Sequence, residues 1–130
     1  MADHPNVSLL RKGYDAFAAG DMDTLRDLFA EGIVWHAPGN NILSGDYEGR
    51  DAVFQFFGKL LKETQGNFSQ QVHDVLANDT HGVVLVELHA ERGGRTLDAR
   101  GVHTMHLENG QVTEFWNFVE DATRVDDFWS

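Results

Sequence analysis

The sequence has no cysteine. Disulfides, thiolate metal sites, iron–sulfur clusters and a cysteine nucleophile are excluded together. Basic residues are also scarce: ten Lys and Arg stand against 21 Asp and Glu, a formal charge of -11. No basic stripe is available to track a phosphate backbone or an anionic bilayer, so neither nucleic acid nor a membrane is an expected partner. No stretch approaches the roughly 18 apolar residues of a membrane span. The opening Met1-Ala2-Asp3-His4-Pro5 lacks the basic and apolar regions of a signal peptide, so a cytoplasmic location is expected. Gly-rich phosphate-loop and dinucleotide spacings are missing, as is a Gly-x-Ser-x-Gly elbow, which removes support for nucleotide binding and serine hydrolysis.

What is present supports a real core. The chain of 130 residues is 42% hydrophobic, with nine Phe and three Trp. That length suits a single domain spanning 1–130, able to bury roughly two thirds of its unfolded surface.

The hydrophobic spacing is mainly helical up to about Asn67 and strand-like beyond it. Pro5 starts a helix whose apolar face carries Leu10, Tyr14 and Phe17, and Gly20 ends it. Asp21 caps a second helix with Met22, Leu25, Leu28 and Phe29, broken by Glu31-Gly32. A short strand, Ile33-Val34-Trp35-His36, stops at Pro38-Gly39, and a loop runs to Gly49. Val53, Phe57, Leu60 and Leu61 build a third helix from about Asp51 to Glu63. Beyond Asn67 four strands follow, Phe68 to Ala77, Val83 to Arg92, Thr96 to Glu108 and Gln111 to Glu120. Gly93-Gly94 and Asn109-Gly110 are two-residue hairpin signals. Helices followed by an antiparallel meander define an α+β fold with the helices on one face of a curved sheet.

Two-residue turns fix a register. Gly93-Gly94 sets Glu87 opposite Arg100 and His89 opposite Asp98 on a polar face. The opposite, apolar face then holds His103 and Met105. Unbroken alternation after Asn109-Gly110 adds Val112, Glu114, Trp116 and Phe118 to it, with His103 facing Trp116; a bulge would invert part of this.

Two histidines attract attention by context. His36 ends a short apolar strand, and His103 stands on the apolar face of the meander. A neutral imidazole in a partly dry pocket suits general-base or hydrogen-bond-donor work near neutral pH, or packs as a core histidine on a backbone carbonyl. His103 and His106 have an odd spacing that sends them to opposite faces of a strand, so no metal site is expected.

The order and spacing of several stretches across nearly all of the chain resemble the SnoaL-like branch of the nuclear-transport-factor-2-like (NTF2-like) superfamily, which also contains ketosteroid isomerase. These are Tyr14-Asp15-Ala16-Phe17-Ala18-Ala19-Gly20-Asp21, Val34-Trp35-His36-Ala37-Pro38-Gly39, Leu43-Ser44-Gly45-Asp46-Tyr47-Glu48-Gly49-Arg50-Asp51-Ala52-Val53 and Gly110-Gln111-Val112-Thr113-Glu114-Phe115-Trp116. The resemblance implies a cone: a curved antiparallel sheet wrapped around the N-terminal helices and an apolar pocket, with a homodimer formed through the sheet. It also implies site positions. The general-base aspartate of ketosteroid isomerase corresponds to His36, its protonated pocket aspartate to His103, and its tyrosine to Gly13, next to Tyr14. The acidic residue that SnoaL-type polyketide cyclases place after the last strand corresponds to Asp121. The Asp-Arg-Asp set of limonene-epoxide hydrolases is matched in composition by Asp98, Arg100 and Asp121, on the outward face.

The expectation is therefore a cofactor-free pocket protein for a small, mostly apolar carbonyl compound. It would act as an isomerase, cyclase or dehydratase, moving a proton beside the carbonyl. His36 would take the proton and His103 would donate to the enolate, with Tyr14 assisting and Asp121 as a further acid/base. Trp35, Phe57, Met105, Glu114, Trp116 and Phe118 would line the pocket. The alternatives are a small-molecule binder without turnover and an accessory dimerisation domain.

Overall fold

The computed structural model describes residues 3–130. Four helices and six strands follow in the order α1 (Pro5–Ala19), α2 (Met22–Leu28), β1 (Phe29–Ala37), β2 (Gly45–Glu48), α3 (Arg50–Glu63), β3 (Phe68–Ala77), β4 (His81–Arg92), β5 (Arg95–Glu108), β6 (Gln111–Val119) and α4 (Ala122–Phe128). The strands form one curved, unclosed sheet in the order β2-β1-β6-β5-β4-β3. All neighbours are antiparallel except β1 and β6, which run parallel. No helix among the described residues is long and apolar enough to cross a membrane.

Local chemistry sets the helix ends. Pro5 supplies a preset φ in the first turn of α1, and His4 Nδ1 accepts from the Asn6 amide. Gly20 closes α1 in the left-handed conformation at φ 73°, which costs a residue without Cβ nothing. Asp21 caps α2 by accepting from the Thr24 amide.

The helices cover the concave face of the sheet. There Val53, Phe57 and Leu60 of α3 and Val7, Leu10 and Ala16 of α1 join Val84, Val86, Leu97, Met105, Val112 and Phe115 in one buried cluster. Trp35 lies flat on Phe115, its partner across the β1–β6 ladder, with ring centroids 3.5 Å apart and planes 11° from parallel.

Four differences from the sequence pattern matter. Phe29 opens β1 instead of ending α2, and Glu31-Gly32 is a register irregularity inside that strand, not its boundary. The expected loop contains β2, paired with β1. The C-terminal segment folds as α4, with Phe128 and Trp129 buried. The fourth difference decides the site. The Asn109-Gly110 turn does pair Glu108 with Gln111 and Leu107 with Val112, but the ladder then skips Thr113 and resumes at His106 with Glu114. One extra residue in β6 reverses the facing of everything after it.

Candidate functional site

The concave face and the helices enclose a cavity of about 140 Å³. Its walls are mainly aliphatic and aromatic, and no Asp, Glu, Lys or Arg contributes to them. Trp35, Phe57 and Met105 stand in the wall. A hydrophobic cavity of this size has room for about one benzene-sized ring.

Polar chemistry in the wall centres on one pair. Tyr14 projects from the middle of α1, and His103 from the concave side of β5, between Val84 of β4 and Asn117 of β6. Tyr14 Oη and His103 Nδ1 share a hydrogen bond of 2.5 Å, their ring planes 16° from parallel. The edge of the His103 ring also meets Phe115, centroids 4.8 Å apart. His103 is 5% exposed. Burial pushes its pKa down to about 3, because an imidazolium there has neither water nor a carboxylate to solvate it. The same burial drives the Tyr14 phenol above its ordinary range. Both groups are therefore uncharged at neutral pH, and His103 Nε2 keeps a free valence among the described residues.

His36 lies elsewhere. Trp35 and Ala37 point into the cavity, so His36, between them in a strand, points to the convex face. There Nε2 donates to Glu114 Oε2 at 2.6 Å and Nδ1 to Asp46 Oδ1 at 2.7 Å. The ring stacks on Trp116 at 5.2 Å. Glu114 first and Asp46 second raise its pKa, since each carboxylate stabilises the imidazolium. His36 and His103 are thus on opposite sides of the sheet.

Glu114, Trp116 and Phe118 share the convex side because of the Thr113 bulge, and correct the expectation that they line the pocket. Trp116 is flanked by His36 and His106, and Phe118 is 57% exposed. The bulge turns Phe115 and Asn117 inward in their place, two cavity residues that unbroken alternation could not find. Asp121 is off the cavity wall as well: it caps α4, accepting from the Arg124 amide at 3.1 Å. Asp98 pairs with His89 and Arg100 with Glu120 on the outer surface. Among the described residues no cluster of three His, Asp or Glu side chains is placed to hold a metal ion.

A single curved sheet closed by helices over an uncharged cavity defines the class, the NTF2-like fold. A model of the SnoaL-like domain matches residues 10–115, and the chain belongs to that family. Among curated sequences it is similar to uncharacterized protein Rv0034 of Mycobacterium tuberculosis, 30% identical over the full length of both chains. Among solved structures it is similar to Bal32a from a soil-derived mobile gene cassette, with TM-score 0.92, 37% identity and 96% of each chain covered. A cystatin-like-fold protein of unknown function from Xanthomonas campestris gives TM-score 0.90 at 27% identity, covering 98% of this chain and 99% of that one. A putative SnoaL-like polyketide cyclase from Jannaschia shares the fold at TM-score 0.79 and 21% identity, over 100% of this chain and 97% of that one.

Proposed function

We propose that this SnoaL-like protein admits a small, uncharged, mostly apolar carbonyl compound and moves a proton beside its carbonyl. The observation that carries the reading is the Tyr14–His103 hydrogen bond inside a cavity without charged side chains. The pair exists in two tautomeric forms. When His103 Nδ1–H donates to Tyr14 Oη, the Nε2 lone pair is free to act as base. Nε2 then takes a proton from the carbon next to the carbonyl, and the C–H electron pair becomes the new C=C bond. The carbonyl oxygen takes the Tyr14 hydroxyl proton, and Tyr14 recovers one from Nδ1. An enol results, His103 carries its proton on Nε2, and no residue has acquired a net charge. A relay of this kind suits a cavity that would penalise either ion heavily. The reverse relay returns a proton to a different carbon for isomerisation, or the enol attacks a second carbonyl in an aldol-type cyclisation.

Neither His36 nor Asp121 has a part in this scheme. The sheet's convex side, with Phe118 and Leu76 exposed at 57% and 53%, is the proposed contact with a second copy. Sedimentation equilibrium of wild type against Phe118→Asp tests that part.

For the reaction, solvent-deuterium exchange into cyclohexanone, followed by NMR, is the direct measurement. Exchange should exceed the buffer rate, vanish in His103→Gln, and fall about 10²-fold in Tyr14→Phe, the usual loss for one donor to a developing oxyanion. A second reading has its own support: an imidazole with pKa near 3 is a weak base, which favours a binder that holds the ligand oxygen without turnover. Binding with no exchange above buffer selects it.

A further inference from the structure

Asn117 sits directly across the β5–β6 ladder from His103 and lines the same cavity. Its Oδ1 is sealed from solvent and has no hydrogen-bond partner. The oxygen rests over Gly101, where a Cβ would come within 3.3 Å of it. No protein group accepts from the amide Nδ2 among the described residues, and that end is not sealed. An amide whose oxygen is sealed without a partner is costly, and an apolar side chain of similar volume is the cheaper way to fill such a place. Tyr14 Oη and His103 Nδ1 bond each other, and neither residue bonds Asn117.

We propose that Asn117 is a second ligand-contacting residue, and that the ligand carries two oxygen functions: a carbonyl held by the Tyr14–His103 pair and a hydroxyl or second carbonyl held by the Asn117 amide. This rests on the reading that the cavity takes a small carbonyl compound, and adds to it the substrate class. Residues directly opposite on antiparallel strands have Cβ atoms roughly 5 Å apart, so one six-membered ring spans both. The bulge at Thr113 is what delivers the amide to this face. The acceptor that the open Nδ2 lacks in the protein is then supplied by an oxygen of the ligand, as binding sites that read a polar substituent commonly arrange.

The probes are cyclohexanone and its hydroxylated relatives 3-hydroxycyclohexanone and 4-hydroxycyclohexanone, with affinities read by calorimetry on the full chain. Wild type should bind at least one hydroxyketone roughly tenfold more tightly than cyclohexanone, the worth of one well-placed hydrogen bond. Asn117→Leu should bring that ratio to about one. Ligand-free Asn117→Leu should also melt at or above the wild-type temperature, because it removes an unpartnered amide. Asn117→Val, which suits a strand, repeats the comparison should the leucine fail to fold. Equal wild-type affinity for all three ketones, or an unchanged ratio in the variants, overturns the proposal. Failure of cyclohexanone itself to bind wild type would instead remove the carbonyl reading beneath it.

Discussion

His36 and His103 are held by one sheet but back onto opposite sides of it, and their environments drive their pKa values in opposite directions. His36 lies between the carboxylates of Asp46 and Glu114 and is raised. His103 is enclosed by hydrocarbon and a phenol and is lowered to about 3. One imidazole is thus drawn toward its cationic form by two carboxylates on the convex face, while the other is a neutral group facing the cavity. The division explains why a histidine in the expected general-base position takes no part in the chemistry proposed for the cavity.

The His36 network should show in stability at alkaline pH. Its folded pKa is above the ordinary 6.5, so its contribution is complete below about pH 6.5 and fades as pH rises through the folded value. Urea denaturation of wild type and His36→Gln should give the largest difference near pH 6 and a smaller one at pH 9. A difference that grows with pH would mean the ring is neutral between its two carboxylates.

His103 has the reverse signature. Below about pH 6.5 the unfolded chain takes up a proton that the folded chain refuses until about pH 3. Stability should therefore fall as pH drops across that window, by up to about 1.4 kcal/mol per pH unit for this one group. His103→Gln should flatten the wild-type profile by that amount between pH 6 and 4. Parallel profiles for the two proteins would show that the buried ring is protonated after all.

The architecture was largely legible in the sequence because turn chemistry leaves little freedom. Gly93-Gly94 fixed Glu87 opposite Arg100 and His89 opposite Asp98, and both pairs are present. The same logic failed past Asn109-Gly110, since nothing in Val112-Thr113-Glu114 announces an extra residue. Both Trp116 and Phe115 are apolar, so either alternation looked acceptable. His36 is a different matter: Trp35 and His36 are consecutive in a strand, and placing both in one pocket contradicts the two-residue period. Denaturation separates the two facings of β6. Phe115→Ala, at a side chain 3% exposed, should cost about 3–5 kcal/mol. Phe118→Ala, at 57% exposed, should stay within about 0.5 kcal/mol in the monomer. The opposite ranking would restore unbroken alternation.

The C-terminal helix completes the cavity, and its attachment is specific enough to test. Val125 and Trp129 belong to the wall, yet α4 is only seven residues long and needs tertiary support. Arg92 provides it. Its Nη1 donates to the carbonyls of Phe128 and Ser130 at 3.1 and 2.9 Å, while Nε holds Glu63 at 3.3 Å. Arg95 adds a bond to the Asp127 carbonyl at 2.7 Å, and Asp126 accepts from Asn41 Nδ2 at 2.7 Å. Because charged donors are worth more than neutral ones, Arg92→Met should loosen α4 before it loosens the sheet. Hydrogen exchange at the amides of 125–129 should accelerate at least about tenfold, with β4 and β5 unchanged and cyclohexanone affinity reduced. Uniform acceleration across β4 and β5 would instead make Arg92 a support for the whole domain, and the closure of the cavity by α4 would then need another explanation.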